Sequence, residues 1–148
     1  MTEIQRELVS GIQYASGYKY QLKKDYAVTT QLHGYEVRTE YASLCSTGWL
    51  IMYSRYAWDG ASGPAIDGRW IMRGSLIHDT LYQMIREGKL PVSCRKAADE
   101  ELRIACLQDS TGWFGIGRLH AQCVYYAVRM FGGYAVKKGA ARKILTSP

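Results

Sequence analysis

The sequence predicts an α+β fold: a small antiparallel N-terminal sheet followed by three helices. Two observations carry this. Eight of the twelve tyrosines fall in the first 57 residues, among short β-branched and aromatic runs broken by turn residues, which is strand composition. From Arg69 onward the apolar positions recur at helical spacing instead. Between the two lies Trp58-Asp59-Gly60-Ala61-Ser62-Gly63-Pro64-Ala65-Ile66-Asp67-Gly68, with four Gly or Pro and two Asp, a loop that runs directly into ordered sequence on both sides. A length of 148 residues suits one domain, divided as a strand-rich part (1–57), a Gly-rich loop (58–68), helices (69–134) and a basic tail (135–148).

Taken in order, Tyr18 to Leu22, Tyr26 to Leu32, Tyr35 to Tyr41 and Trp49 to Tyr53 read as strands, with His33-Gly34 as a tight turn between the second and third. Charged residues such as Lys19, Glu36, Arg38 and Glu40 alternate with apolar ones, so the sheet is expected to be two-faced. Ile77, Leu81, Met84 and Ile85 mark a first helix over residues 70–86, stopped by Gly88 and Pro91. Ser93 is the expected N-cap of a second helix over 94–108, with Ala98, Leu102, Ala105 and Cys106 on its buried side. Gly112, Gly115 and Gly117 interrupt the pattern. A third helix, about 116–131, carries Ile116, Leu119, Cys123, Ala127 and Met130 at matching spacing and ends at Gly132-Gly133.

Composition excludes several classes. At 47% hydrophobic and 22% charged the chain can bury a core, yet no apolar run approaches the roughly 20 residues of a membrane-spanning helix. The start MTEIQRELVSG has no apolar signal region, so a soluble cytosolic product is expected. Cys45, Cys94, Cys106 and Cys123 form neither a C-x-x-C pair nor a regular framework and are read as mostly buried thiols. Residues 1–109 hold 13 basic and 13 acidic side chains, whereas 110–148 hold Arg118, Arg129, Lys137, Lys138, Arg142 and Lys143 with no acid. The whole net charge of +6 therefore sits in the last 39 residues, a patch suited to phosphates, with a solvated tail as the alternative. No nucleic-acid-binding motif accompanies it, which places nucleic acid last among the partners.

The residues that carry chemistry are His78-Asp79-Thr80-Leu81-Tyr82 and Asp99. At 3.6 residues per turn His78 and Tyr82 share a helix face, while Asp79 is rotated by roughly 100°. Asp99 lies on or beside the buried stripe of the second helix, and a buried acid needs partners. The short connection makes the two helices antiparallel neighbours, so His78 and Tyr82 are those partners. An imidazole held at one nitrogen by a carboxylate keeps the other as an acceptor, the requirement for a general base. Asp79, pointing elsewhere, is a candidate carboxylate for a hard cation such as Ca2+, with carbonyl oxygens from the loop. The structural alternative is a buried polar network that fixes helix packing. His33 and His120 stand apart from this group, and no zinc, nucleotide-binding or serine-hydrolase pattern is present.

Two resemblances follow from these motifs. The runs R-Y-A-W-D-G-A-S-G-P, L-I-H-D-T-L-Y, S-C-R-K-A-A-D-E-E-L and Y-Y-A-V-R-M-F-G-G resemble an uncharacterised domain family of bacteriophages and prophages, over about residues 53–134. That resemblance implies a phage-encoded protein, in the host cytoplasm or built into the virion. The second resemblance is local, to phospholipase A2, whose helix pair carries H-D-x-x-Y, an Asp on the following antiparallel helix, and a Gly-rich calcium loop before the His. It implies His78 as general base, Asp79 as calcium carboxylate, Tyr82 and Asp99 as supports of His78, and calcium-loop carbonyls near Gly60, Ser62 and Gly63. The cysteines that flank the His-Asp pair in secreted members are replaced here by Leu76, Ile77 and Leu81. The function expected is lipid-ester hydrolysis at a membrane, with Lys137, Lys138, Arg142 and Lys143 contacting lipid phosphates. The alternative is a non-enzymatic virion or tail component, or a host-factor-binding protein, in which the His-Asp-Tyr-Asp cluster is structural.

Overall fold

The structure, a computed structural model, describes residues 14–15, 19–60, 68–110 and 116–137. The fold is α+β, with small antiparallel sheets followed by three helices. The chain divides into two compact units, Met1–Ala57 and Trp58–Pro148. Tyr18, Ser62, Gly63, Gly112, Gly115, Lys138, Arg142 and Lys143, all singled out above, lie outside the described residues.

The first unit is built from short strands: β1 (Tyr14–Ala15), β2 (Tyr20–Leu22), β3 (Tyr26–Thr29), β4 (Val37–Arg38), β5 (Ala42–Leu44) and β6 (Trp49–Met52), with β7 (Ala57–Trp58) at the junction. β1-β2-β7 form one sheet and β3-β6-β5-β4 another. In β6 the burial alternates, Leu50 and Met52 inward and Trp49 and Ile51 half-buried, as a two-faced sheet requires.

Two sequence expectations change here. The run Tyr35 to Tyr41 is not one strand, because Thr39 turns the chain. Its backbone N–H and its hydroxyl both donate to the Ala42 carbonyl, and its Oγ1 accepts from the Ala42 N–H. Glu40 and Tyr41 become a hairpin turn, with Val37 facing Leu44 and Arg38 facing Ser43. Nor does His33-Gly34 join neighbouring strands, since β3 and β4 lie at opposite edges of their sheet and β3 pairs with β6.

The second unit contains α1 (Arg69–Arg86), α2 (Arg95–Asp109) and α3 (Ile116–Phe131). α1 ends in a Schellman motif: the Lys89 N–H reaches the Met84 carbonyl and the Gly88 N–H reaches that of Ile85. Gly88 takes φ +71, which a side chain would resist, and this turns the chain back toward α2. Ser93 is exposed and is not the cap of α2. A 3-10 turn, Val92–Cys94, starts the winding one turn earlier, so Cys94 occupies the cap position without a side-chain cap bond.

Leu76, Ile77, Leu81, Met84 and Ile85 of α1 are buried, as are Ala98, Leu102, Ala105 and Cys106 of α2. α1 and α2 approach closely at Gly74, where a Cβ would stand 2.9 Å from Leu102 Cδ1 and 3.1 Å from the Leu102 carbonyl oxygen. α3 closes the core through Ala121 and Val124, packed with Ile71, Leu102 and Cys106. This corrects the expected stripe: Leu119, Cys123 and Met130 face outward and Ala127 is half-buried. Leu119, Cys123 and Met130 do share one apolar stripe, but the core takes the neighbouring one. The small Ala121 lets the helix approach, and Val124 and Val128 fill the contact. Of the four cysteines, all free thiols, Cys94 and Cys106 are buried, Cys45 is half-buried and Cys123 is exposed.

Candidate active site

The middle of α1 presents His78 and Tyr82 one turn apart, with ring centroids 3.9 Å from each other. Opposite them, α2 supplies Asp99, which is fully buried. One carboxylate oxygen, Oδ1, lies 2.8 Å from His78 Nε2 and accepts the Tyr82 hydroxyl at 2.6 Å. The other, Oδ2, accepts from Arg129 Nη1 of α3 at 2.8 Å. An ionised carboxylate only accepts, so His78 Nε2 carries hydrogen and Nδ1 is the remaining nitrogen. Arg95 supports the group from outside: its Nε donates to the Tyr82 oxygen at 3.1 Å, and its Nη2 donates to the Val128 and Arg129 carbonyls at the end of α3. Those are terminal helix carbonyls, which a guanidinium satisfies well.

The electrostatics follow from this geometry. Burial alone would lift the Asp99 carboxyl, but the bonds from His78, Tyr82 and Arg129 outweigh it and hold the group below the ordinary carboxylate range. Burial would lower His78, yet the carboxylates of Asp79 and Asp99 together raise it above an ordinary imidazole. Burial and the charge of Asp99 push the Tyr82 phenol well up, so it remains a hydrogen-bond donor. For Asp79, burial raises the carboxyl and His78 and Arg86 pull it back, with Asp59 adding a further like charge.

His78, Tyr82 and Asp99 are therefore brought together as their spacing implies. Asp79 differs from expectation: instead of turning away, its Oδ1 stands 3.6 Å from His78 Nδ1, at the edge of hydrogen-bonding range. Its side chain is one-third exposed, against 9% for His78, and Arg129 on the Asp99 side is exposed to the same degree. Gly60 has φ +76. At the loop's entry, the Trp58 indole N–H donates to Ser75 Oγ, which in turn donates to the Met72 carbonyl. This fixes the start of the loop on α1, three residues before His78. Lys137 is exposed after the 3-10 turn Tyr134–Val136, its Nζ 5.8 Å from the Tyr134 ring centre.

Among the described residues no three His, Cys, Asp or Glu side chains gather as a metal cluster. A calcium site of the kind the resemblance implies does not need one, because a single carboxylate joined by carbonyl oxygens is a suitable donor set for a hard cation. Asp79 is one-third exposed, and Asp59 adds a like charge to it, so a carboxylate is present for such a set.

Sequence reasoning missed Arg129 and Arg95. Arg129 reads as one of the C-terminal charges, although its guanidinium reaches from α3 to Asp99 of α2. The available signal was arithmetic: a buried carboxylate has two oxygens, and His78 and Tyr82 occupy only one.

In comparisons with known proteins, no family model, no curated protein and no solved structure matches the chain.

Proposed function

We propose that the protein is a phage-encoded, phospholipase A2-like hydrolase that cleaves a lipid ester with water activated by His78. The observation that carries this reading is the division of labour around one imidazole: Nε2 is held by buried Asp99, itself fixed by Tyr82, while Nδ1 faces the one-third-exposed Asp79 carboxylate at 3.6 Å, beyond a firm hydrogen bond. A neutral Nδ1 takes a proton from water, and the water oxygen forms a bond to the ester carbonyl carbon. The bond from that carbon to the alcohol oxygen then breaks, and the proton passes from Nδ1 to the leaving alkoxide, giving fatty acid and lysolipid. Asp99 and Tyr82 keep the ring oriented, and the Asp99 charge stabilises the imidazolium formed in between. Asp79, with loop carbonyls from Gly60, Ser62 and Gly63, would hold calcium, which would supply positive charge for the carbonyl oxygen. Lys137, Lys138, Arg142 and Lys143 contact lipid phosphates.

The raised His78 moves the neutral, proton-accepting form to higher pH, so turnover is expected to increase with pH. Fatty-acid release from phospholipid vesicles in millimolar calcium tests the proposal. The parent is expected to turn over and His78→Gln to lose at least about a hundredfold. A parent rate equal to the protein-free blank overturns the reading.

A second reading rests on a different observation. Asp99 is wholly buried and its two oxygens serve His78, Tyr82 and Arg129 from α1 and α3, which is what a packing network needs. In that case the chain is a virion, tail or host-factor-binding component. Calorimetric titration with calcium separates the two: binding by the parent that is lost in Asp79→Asn supports the hydrolase, and no binding favours the network.

A further inference from the structure

Leu119, Cys123, Tyr126 and Met130 recur at intervals of four, three and four residues along α3, and Tyr134 continues the line after the helix ends. Leu119 is 62% exposed, Tyr126 57%, and Met130, Phe131 and Tyr134 each above 70%. The opposite side of the same helix is already in the core through Ala121 and Val124. α3 thus has one apolar face that is satisfied and one that is not, and an apolar face left open on a folded protein marks an interaction surface.

Charge selects the occupant. No acidic residue occurs anywhere in residues 110–148, while Arg118 and Lys137, both exposed, flank the two ends of the face. Lys138, Arg142 and Lys143 follow within six residues of Lys137 in sequence. A second copy of this chain would set two acid-free basic segments against each other, which opposes pairing. Aromatic and aliphatic side chains lying between basic ends suit the boundary of an anionic bilayer, where the apolar groups enter the acyl region and the cations meet phosphates. Tyr126 and Tyr134 have the amphipathic rings that settle at that level.

We infer that the outward face of α3 docks the protein on anionic phospholipid bilayers. This surface is separate from the chemistry proposed at His78, since a face can hold a membrane whether or not a reaction occurs behind α1 and α2.

The test is cosedimentation of the full chain with phosphatidylcholine vesicles, with and without about 30% phosphatidylglycerol. The parent is expected to sediment with the anionic vesicles only, and less so at high salt. The double variant Met130→Ser, Phe131→Ser is expected to lose about tenfold or more in affinity while melting within a few degrees of the parent, because both side chains are exposed in the native state. His78→Gln is expected to bind like the parent, which separates this outcome from that of the hydrolase reading. Absence of binding to anionic vesicles overturns the inference, as does unchanged binding by the double variant. A parent that elutes as a dimer, becomes a monomer in the double variant and ignores vesicles assigns the face to self-association instead.

Discussion

Two arginine ion pairs in the C-terminal unit offer an internal comparison. Arg129 reaches Asp99 and Arg103 reaches Glu100, each at 2.8 Å, and the two arginine side chains are both 32% exposed. The acids differ sharply in burial: Glu100 is 27% exposed and Asp99 not at all. Replacement by Met keeps most of the aliphatic stem and removes the charge. In Arg103→Met the Glu100 carboxylate turns to water, so the cost should be about 0.5 kcal/mol or less. In Arg129→Met, Oδ2 of a buried carboxylate loses its one described donor. Breaking a buried pair costs roughly 3–5 kcal/mol, and the partial exposure of Arg129 lowers the expectation to about 2–3 kcal/mol. Arg129 also sits in the last turn of α3, where a cation contributes about 0.3–1 kcal/mol through the helix dipole. Arg129→Lys retains that contribution but not the guanidinium geometry, so it should fall between the parent and Arg129→Met. Urea denaturation followed by helical circular dichroism measures all three. Variants at positions 103 and 129 within about 0.5 kcal/mol of each other would refute the burial argument.

The same network makes stability depend on pH in both directions. Asp99 is lowered in the fold, so its contribution is present above the ordinary carboxylate range and is lost as pH falls through the folded value; His78 is raised, so its contribution is present below about 6.5 and is lost as pH rises through the folded value. Unfolding free energy should therefore decline on the alkaline side in the parent but less in His78→Gln, and parallel profiles would count against the His78 part. At the α1–α2 contact, Gly74→Ala gains about 1 kcal/mol in helix propensity but forces its methyl against Leu102 Cδ1 and the Leu102 carbonyl. Overpacking at a backbone atom is the larger effect, so a net loss of about 1–2 kcal/mol by urea denaturation is expected, and a stabilised variant would contradict the close approach.

The parts of the fold that were legible in the sequence are those governed by local period and turn chemistry. α1 follows from Ile77, Leu81 and Met84 and its end from Gly88, and α3 was bounded at 116–131 before its surroundings were known. His78, Tyr82 and Asp99 converge because i, i+4 spacing and a short helix connection leave few alternatives. What was not legible depends on partners distant in sequence. Arg129 reads as one cation among six until the second oxygen of Asp99 is counted. The buried side of α3 was misassigned because Leu119 and Met130 are better hydrophobes than Ala121, yet Ala121 is the residue small enough for close approach. In the strands, Thr39 outweighed the apolar alternation of Tyr35 to Tyr41 by bonding Ala42 through both backbone and side chain.

The position of Asp99 in the chain also bears on synthesis. Its partners on α1 leave the ribosome first, whereas Arg129 follows 30 residues after the carboxylate and the carbonyls held by Arg95 come 33 and 34 residues after that arginine. At translation speeds of about 5–20 residues per second, α1 and α2 wait roughly 2–6 seconds with Oδ2 of Asp99 still lacking its donor from α3. During that interval Asp99 has its His78 and Tyr82 partners but not the Arg129 guanidinium. Completion of α3 supplies that last donor, which couples the full stability of the His78 site to the end of the chain's third helix.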